Sequence, residues 1–476
     1  MLLMTQNVNC PRVVVVGAGF AGINAAKALG RTPVKVTLVD RKNHHTFQPL
    51  LYQVALAVLS PAEIASPVRA VLRGARNVEV LLGEVSGFDL DARQVRIEGE
   101  GDSPAITLPY DYLIVASGAT HAYFGHPEWA EVAPGLKTLE DAIEIRRRVL
   151  MVFENAERVA IAGSVGPPLN FVVIGAGPTG VELAGAIADI SKRYMEHDFR
   201  EIDPSKSRIT LLEGGPRVLA SYPEDLSASA EQQLRDMGVE VRTNAMVTNV
   251  EPGWVTVGKD PVSKEKIPAT VTLWGAGVSA SPLGKMLGAP VDRAGRVIVE
   301  HDLTIPGHPE VFVIGDLAAA PLHPAGPSHV DDATNSQTTP AGNSSPQSGA
   351  PSAKSAPVQL VPGVAPAAIQ MGKFAARQIK RSVAGKPCET FHYLDKGTLA
   401  TIGRSRAVGY VGKFHISGYF AWLAWLFIHV FFLIGFRNRF MVMMEWAWAY
   451  ISYKSSARLI TGEEESKPAQ PRAKAG

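Results

Sequence analysis

Two copies of a strand, glycine loop, helix and strand pattern constrain the fold of this chain more than any other feature. The first copy spans residues 12–40 and the second residues 171–213. Each places G-x-G-x-x-G between a continuous apolar run and a helix rich in small residues. Continuous apolar runs are typical of parallel strands buried on both faces. The repeat therefore predicts an α/β protein with two Rossmann-like units, each able to bind a dinucleotide.

The first glycine motif has the spacing needed to contact a pyrophosphate. Gly17 permits the tight turn, Gly19 lets the backbone approach the phosphates, and Gly22 lets the helix pack closely on the strand. The helix N-terminus offers free N–H groups and the positive end of the helix dipole. Asp40 ends the second strand, where its carboxylate can accept hydrogen bonds from a ribose diol. A glycine-rich turn without a ligand is the alternative, but the strand, helix and acid together favour a dinucleotide site.

The second motif repeats this arrangement with Gly175, Gly177 and Gly180. Its second strand ends at Glu213, farther along than usual because the polar stretch MEHDFREIDPSKS intervenes. We interpret that stretch as a helix extension and loop within the unit. Two units in one chain imply two bound dinucleotides.

Two other predicted strands end in residues suited to ligand contact. The apolar run 112–116 leads into Ser117-Gly118-Ala119, and small residues there permit a second close approach to a ligand. The run 311–314 leads into Gly315-Asp316. Asp316 suits a ribityl or ribose hydroxyl, and a helix-capping role is compatible with that function.

The composition excludes several classes of protein. A net charge of +2 over 476 residues provides no electrostatic field for nucleic acid, so no nucleic-acid partner is expected. Cys10 and Cys388 are the only cysteines, which excludes a disulfide framework and a paired-thiol relay. The twelve histidines show no metal-ligand spacing, so no metal site is predicted. The first ten residues lack the features of a signal peptide, and we expect a cytoplasmic catalytic body.

The C-terminal half contains two unusual segments. Residues 320–362 are rich in Pro, Ser, Ala, Gly and Thr and predict a disordered surface insertion. Residues 418–436 form the most apolar run, which is flanked by basic residues and followed by a shorter tryptophan-rich segment. A transmembrane helix, a pair of interfacial amphipathic helices and a buried dimer interface are the three alternatives. The tryptophans and flanking cations favour the interfacial pair.

These motifs together resemble the type II NADH dehydrogenases, single-subunit NADH:quinone oxidoreductases that pump no protons. The resemblance covers nearly the whole chain except the insertion and the termini. The segments that carry it are NHHTFQPLLYQVA (43–55), GAGPTGVELAG (175–185), VTLWGAGV (271–278), VFVIGDLA (311–318) and the arginine- and tryptophan-rich C-terminus.

The resemblance implies a cofactor for each unit. It implies that FAD binds the first unit and NADH the second, and that Glu213 favours the free 2′-hydroxyl of NADH over a 2′-phosphate. The expected FAD contacts are Gly17, Gly19, Gly22, Asp40, Ala119 and Asp316, and the expected NADH contacts are Gly175, Gly177, Gly180 and Glu213.

Two residues are expected to act in the reaction. The resemblance places Glu182 near the nicotinamide and the flavin, where it would act in hydride transfer or quinone protonation. The alternative is that Glu182 serves only as a charged group near the start of its helix. The family often has Ala-Gln-x-Ala-x-Gln on the helix that faces the quinone, and here residues 365–370 read APAAIQ. Pro366 replaces the first glutamine, which removes that quinone contact, whereas Gln370 remains a candidate.

The resemblance also implies a domain organisation. It predicts an FAD-binding domain in two parts, 1–165 and 286–400, with an NADH-binding domain at 166–285 and a membrane-associating region at 401–476. The expected protein is a homodimer on the lipid bilayer surface, peripheral or monotopic at the cytoplasmic face of the inner membrane. There it would pass a hydride from NADH to FAD and two electrons to a membrane quinone.

Two alternatives share this fold. A sulfide:quinone or disulfide oxidoreductase is disfavoured because the chain has no paired cysteines. A membrane-attached, NADH-binding flavoprotein of the apoptosis-inducing-factor type would retain both glycine motifs. The C-terminal region argues for the enzyme.

Overall fold

A computed structural model describes residues 10–99, 101, 103–258, 264–322, 359–452 and 457–461. The described residues form two large, mainly parallel sheets flanked by helices, three three-stranded antiparallel sheets, three two-stranded sheets and a C-terminal helix pair.

The helices and strands of the described residues are as follows. The α-helices are α1 (Phe20–Leu29), α2 (Leu51–Ala55), α3 (Pro61–Ile64), α4 (Val68–Val71), α5 (Trp129–Val132), α6 (Leu139–Ile161), α7 (Pro178–Asp189), α8 (Glu224–Asp236), α9 (Leu283–Met286), α10 (Ala365–Val383), α11 (Gly418–Phe432) and α12 (Phe436–Ser452). The strands are β1 (Arg12–Val16), β2 (Lys35–Asp40), β3 (His44–Thr46), β4 (Ala65–Pro67), β5 (Val78–Leu82), β6 (Val85–Asp89), β7 (Gln94–Ile97), β8 (Ile106–Pro109), β9 (Tyr112–Val115), β10 (Ala119–His121), β11 (Asn170–Ile174), β12 (Arg208–Leu212), β13 (Val239–Arg242), β14 (Val247–Glu251), β15 (Gly253–Val257), β16 (Glu265–Ala269), β17 (Val271–Trp274), β18 (Val278–Ala280), β19 (Val297–Ile298), β20 (Thr304–Ile305), β21 (His308–Val313), β22 (Ala318–Ala319), β23 (Thr398–Gly403), β24 (Arg406–Val411) and β25 (Phe414–Ser417).

The larger parallel sheet joins strands from both sides of the second glycine motif. Its order is β20-β21-β9-β1-β2-β5, with β1 parallel to both β2 and β9, and β21 parallel to β9. The four valines of β1 are buried, as expected for a central strand covered on both faces. The carboxyl ends of β1, β2, β9 and β21 meet at one edge, where ligands of open α/β sheets bind.

The second parallel sheet lies within the chain segment between β9 and β21. Its order is β13-β12-β11-β17, and β11 is parallel to both β12 and β17. All five residues of β11 are buried. The two glycine repeats therefore form separate sheets, as predicted for two Rossmann-like units.

Helix α10 covers the first sheet and packs along α1. The approach is close at Gly372, because a Cβ there would overlap the carbonyl oxygen of Ala21. The sequence predicts this helix at 365–382, and the structure confirms it with one further residue. The first turn of α10 lies beside the turn that carries Asp316. Gly363, just before α10, is also close to the Asp316 side chain.

The apolar run at 418–436 forms one helix, and the tryptophan-rich segment after it forms a second. Helix α11 ends at Phe432, and α12 begins at Phe436 after a short connection. Trp425, Leu433 and Val442 are buried against the rest of the protein, while many neighbouring aromatic side chains face outward. Among the described residues, no helix combines the length and the apolar character needed to cross a membrane.

The ends of the predicted insertion are paired with each other. The Leu322 N–H donates to the carbonyl oxygen of Gln359 at 2.7 Å, and the Val361 N–H donates to Ala320 at 2.9 Å. The prediction of disorder was therefore wrong for these end residues, whose backbone polar groups bond across the base of the insertion. Residues 323–358, the remainder of the predicted insertion, lie outside the described residues.

Candidate functional site

The first glycine loop forms a close-packed turn whose backbone is uncovered at Gly19. Gly17 has a φ of +100°, and a Cβ there would lie 2.5 Å from the Ala116 carbonyl oxygen. A Cβ at Gly22 would overlap the carbonyl oxygen of Gly17. A Cβ at Gly19 would meet nothing within 4 Å, so its backbone faces open space at the start of α1. The loop thus offers backbone N–H groups to an anion at the helix N-terminus.

Asp40 is held against this loop by backbone hydrogen bonds. Its Oδ2 accepts from the Ala18 N–H at 2.5 Å, and its Oδ1 accepts from the Lys42 N–H at 2.7 Å. The half-buried carboxylate is therefore fixed at the rim of the loop. Each oxygen keeps a lone pair for a hydroxyl donor of a ligand.

Asp316 lies beside the same loop. The preceding residue, Gly315, is close to α1, because a Cβ there would lie 3.3 Å from the Ala21 Cβ. The half-buried Asp316 side chain also lies near Gly363. Ala119 begins β10, two residues past Ser117 at the end of β9, and pairs with Ala280 of β18. The structure therefore brings Gly17, Gly19, Gly22, Asp40 and Asp316 together at the edge that Ala119 also adjoins.

The second loop has the same geometry. Gly175 has a φ of +92°, a Cβ at Gly180 would overlap the Gly175 carbonyl oxygen, and a Cβ at Gly177 would meet nothing within 4 Å. Glu213 accepts a hydrogen bond from the Ala176 N–H through Oε2 at 2.7 Å and from the Gly215 N–H through Oε1 at 2.7 Å. All four predicted residues of this unit thus form a second binding cradle. The first cradle is the group formed by Gly17, Gly19, Gly22, Asp40 and Asp316.

Glu182 extends from α7, one turn after the second glycine loop. Burial raises the pKa of this carboxyl to about 8, so that it is mostly protonated at neutral pH. The charge of Glu182 also adds to the burial that raises the pKa of both Tyr52 and Tyr222. A carboxyl with such a pKa can hold or release a proton near neutral pH.

Two tyrosines near Glu182 were not predicted as site residues. Tyr222 is buried, its hydroxyl has no hydrogen-bond partner in the part of the chain that the structure describes, and its ring meets the ring of Tyr410. Tyr52 is buried in α2. Tyr52 lies in the quoted motif 43–55, whereas no pattern in the sequence indicated Tyr222.

Hydrogen bonds hold the segment around Tyr52 on two sides. The buried Arg146 of α6 donates to the carbonyl oxygens of Val54 at 2.6 and 2.8 Å and of Leu59 at 2.7 Å. On the other side, the Trp446 indole N–H of α12 donates to Gln53 Oε1 at 2.7 Å. The C-terminal helices are thus bonded directly to the segment that carries Tyr52.

The Gln370 amide bonds to a neighbouring backbone. Its Nε2 donates to the Leu394 carbonyl oxygen at 3.0 Å, and its Oε1 accepts from the Leu394 N–H at 3.0 Å. Gln370 therefore ties α10 to the chain that leads into β23. A ligand that bonds to the Gln370 amide would therefore share it with the N–H and the carbonyl oxygen of Leu394.

The cysteines lie apart from both cradles. Cys10 and Cys388 are free and exposed. Among the described residues, no group of three or more His, Cys, Asp or Glu side chains is arranged to hold a metal ion.

Two family models match this sequence. Residues 11–371 match the pyridine nucleotide-disulphide oxidoreductase family, and residues 396–452 match the NDH2 C-terminal domain. Two Mycobacterium tuberculosis proteins, described as type II NADH:quinone oxidoreductases NdhA and Ndh, are 43% and 42% identical to this chain. The alignments cover 95% of this chain and 90% and 91% of those proteins.

Solved structures share the fold at lower identity. The Plasmodium falciparum NDH2 in complex with NADH has a TM-score of 0.79 at 19% identity, covering 95% of this chain and all of that one. The sulfide:quinone oxidoreductase from Aquifex aeolicus has a TM-score of 0.67 at 18% identity, covering 93% and 96% of the two chains. Both share the overall fold of this chain.

Proposed function

Because this chain belongs to the type II NADH:quinone oxidoreductase family, we propose that its two cradles serve one reaction, with Glu182 as the proton-holding group. The protein is an FAD-dependent enzyme that oxidises NADH and reduces a quinone. The single observation that supports the role of Glu182 is that its half-buried carboxyl is desolvated near Tyr52 and Tyr222, on the helix that follows the NADH cradle.

The first cradle suits the FAD diphosphate and sugar. The open space at Gly19 allows a phosphate to approach the backbone, and Asp40 and Asp316 retain oxygens that can accept from hydroxyl groups. Ala119 is the proposed packing residue at the strand end. When bound, FAD supplies the capacity to accept a hydride and to donate two electrons. The protein's part is to orient that group beside the second cradle.

The second cradle suits NADH. The proposed contacts are Gly175, Gly177, Gly180 and Glu213. Glu213 is anchored through both oxygens, so that its charge lies at the rim where a ribose would bind. A 2′-phosphate there would meet a like charge in a fixed position.

Glu182 and Gln370 are the proposed groups on the reaction path. Glu182, protonated at neutral pH, can deliver a proton during quinone reduction and recover it from solvent. Gln370 is proposed to act by holding the Leu394 backbone beside the quinone path, since its amide already bonds to that backbone.

We propose that the outer face of α11 and α12 lies on a lipid surface. Phe420, Phe427 and Phe431 are 76%, 71% and 60% exposed on α11. Large apolar side chains exposed together mark an interaction surface. Quinones are lipid-soluble, so a surface seated on the bilayer would bring the enzyme to its substrate. We also propose that the enzyme lies at the cytoplasmic face of the membrane and that it is a homodimer. Its domains are proposed to divide after residues 165, 285 and 400.

The lipid surface can be tested without removing the buried parts of the helices. Replacing Phe420, Phe427 and Phe431 with serine should release the protein from phosphatidylethanolamine–phosphatidylglycerol vesicles while preserving bound flavin. A control pair, Ile161→Ser and Val165→Ser, changes exposed apolar residues at and just beyond the end of α6 and should leave vesicle binding unchanged. Continued binding of the triple variant would contradict the proposal. Sedimentation of the detergent-extracted protein would test the dimer.

Turnover tests the reaction as a whole. The purified yellow protein should oxidise NADH rapidly only when a short-chain quinone is present. Negligible turnover with quinone would instead favour an NADH-binding flavoprotein that serves as an interaction partner. Sulfide-dependent quinone reduction is not expected, because Cys10 and Cys388 are exposed and separate from the cradles.

A further inference from the structure

A chain of buried polar groups links α12 to the residue beside Glu182. The Trp446 indole N–H donates to Gln53 Oε1 at 2.7 Å, and Gln53 Nε2 donates to the Tyr52 hydroxyl at 2.8 Å. Gln53 and Tyr52 are 7% and 8% exposed, respectively. Both ends of the Gln53 amide are therefore used in an otherwise apolar core.

The chemistry of the three groups determines which one donates and which one accepts in each hydrogen bond of this series. An indole N–H can only donate, so it must meet the oxygen of the Gln53 amide. The amide NH₂ group is then directed at the Tyr52 oxygen. Because Tyr52 accepts from Gln53, its own hydroxyl proton is left for a second partner, and the Thr401 side chain lies within hydrogen-bonding reach. Trp446 thus determines which way the Gln53 amide faces and, through it, how the Tyr52 hydroxyl is oriented.

The aromatic contacts keep these groups in place. The rings of Tyr52 and Trp425 have centroids 6.4 Å apart, and those of Trp425 and Trp446 are 5.7 Å apart. Asn438, also on α12, donates to the Ala65 carbonyl oxygen at 3.3 Å. The orientation of Tyr52 therefore depends on α12 being seated on the body of the protein.

We propose that Gln53 and Trp446 are positioning residues for quinone reduction beside Glu182, which fix the orientation of the Tyr52 hydroxyl only when α12 is packed on the body of the protein. The inference rests on the proposed role of Glu182. It assigns to the C-terminal helices a second task besides attachment, because they complete the hydrogen-bond geometry of the site. Without the indole donor, the amide is free to flip, and its oxygen then accepts the tyrosine proton instead.

The test separates the two half-reactions in the flavin-loaded enzyme. Trp446→Phe keeps an apolar ring and removes the donor. Its NADH:ferricyanide rate per bound flavin should stay within about twofold of wild type, whereas kcat with a short-chain quinone should fall about tenfold. Trp254→Phe, on β15, is the matched control and should change neither value.

A double-mutant cycle supplies the second criterion. Gln53→Met removes the middle of the chain at similar volume and should reproduce the effects of Trp446→Phe. The double variant should be no worse than Gln53→Met alone, because both substitutions break one connected unit. Flavin content and Tm are measured for each variant.

Several results would overturn the inference. A quinone kcat in Trp446→Phe that falls no more than its ferricyanide rate, or strictly additive losses in the cycle, would show two independent packing roles. Loss of flavin in both single variants would show that these hydrogen bonds serve only to stabilise the fold. A wild-type enzyme without quinone turnover would refute the proposed function itself and is recognised before any variant is made.

Discussion

The carboxylate of Glu213 accepts a hydrogen bond from the backbone N–H of Ala176, inside the second glycine loop. Asp40 makes the same bond to Ala18 in the first loop. In each unit the acid at the end of the second strand is therefore fixed to the loop that contacts the phosphates. This bond sets the distance between the anionic side chain and any ribose held at the loop.

Glu213→Gln should relax the discrimination between NADH and NADPH. The amide removes the negative charge that opposes a 2′-phosphate but keeps an oxygen able to accept from Ala176. The ratio of kcat/KM for NADPH to that for NADH should rise about tenfold, equivalent to about 1.4 kcal/mol. Steady-state kinetics with both nucleotides measures the ratio. Asp40→Asn, at the equivalent position of the other unit, should leave it unchanged, and an unaltered ratio in Glu213→Gln would refute the assignment.

Quinone reduction should decline as the pH rises through about 8. Burial raises the pKa of Glu182 to about 8, so the protonated form is abundant below that pH and is lost above it. Glu182→Gln should lower quinone kcat about 100-fold and abolish this decline. The surface variant Glu251→Gln is the control. A pH profile that is the same in Glu182→Gln and wild type would argue against the role of Glu182.

The docking of α11 should weaken in acid because of His429. Burial lowers the pKa of this imidazole to about 4, although its Nδ1 bonds to the Trp425 carbonyl oxygen at 2.6 Å. The unfolded chain binds a proton near pH 6.5 that the folded chain does not, so stability is lost as the pH falls from about 6.5 to about 4. At pH 5 the loss is at most about 2 kcal/mol.

The variant His429→Asn can keep the bond to Trp425 but does not titrate in this range. Its Tm should fall less than that of wild type between pH 7.5 and pH 5. His392→Asn, which changes an exposed imidazole elsewhere on the protein, should retain the wild-type fall. Equal falls in all three proteins would contradict the prediction.

The insertion should be removable without loss of activity. Leu322 and Gln359 are already joined by a backbone hydrogen bond, so two residues can connect them as a hairpin loop. Replacement of residues 323–358 with Asn-Gly should keep Tm within a few degrees and NADH:quinone activity within about twofold. Calorimetry and turnover measure both. A large loss of activity with intact flavin would assign a functional role to the insertion.

The local patterns in the sequence were sufficient to identify the two cradles. Gly17 and Gly175 require positive φ, Gly22 and Gly180 permit contact with the loop carbonyl, and the acids follow at the ends of neighbouring strands. These features depend on residues close in sequence or on adjacent parallel strands, so spacing alone predicts them. The assignment of FAD and NADH to the two cradles came from the resemblance of longer motifs.

The tertiary structure decided what surrounds Glu182. Tyr52, Tyr222 and Trp446 are far apart in sequence and belong to no common repeat, so no spacing rule could bring them together. The same holds for the pairing of Gln370 with Leu394. The sequence by itself determined the folds that bind dinucleotides, because those rest on local backbone geometry. Packing between distant segments determined the environment of the reacting carboxyl, because burial and hydrogen-bond direction are properties of the assembled core.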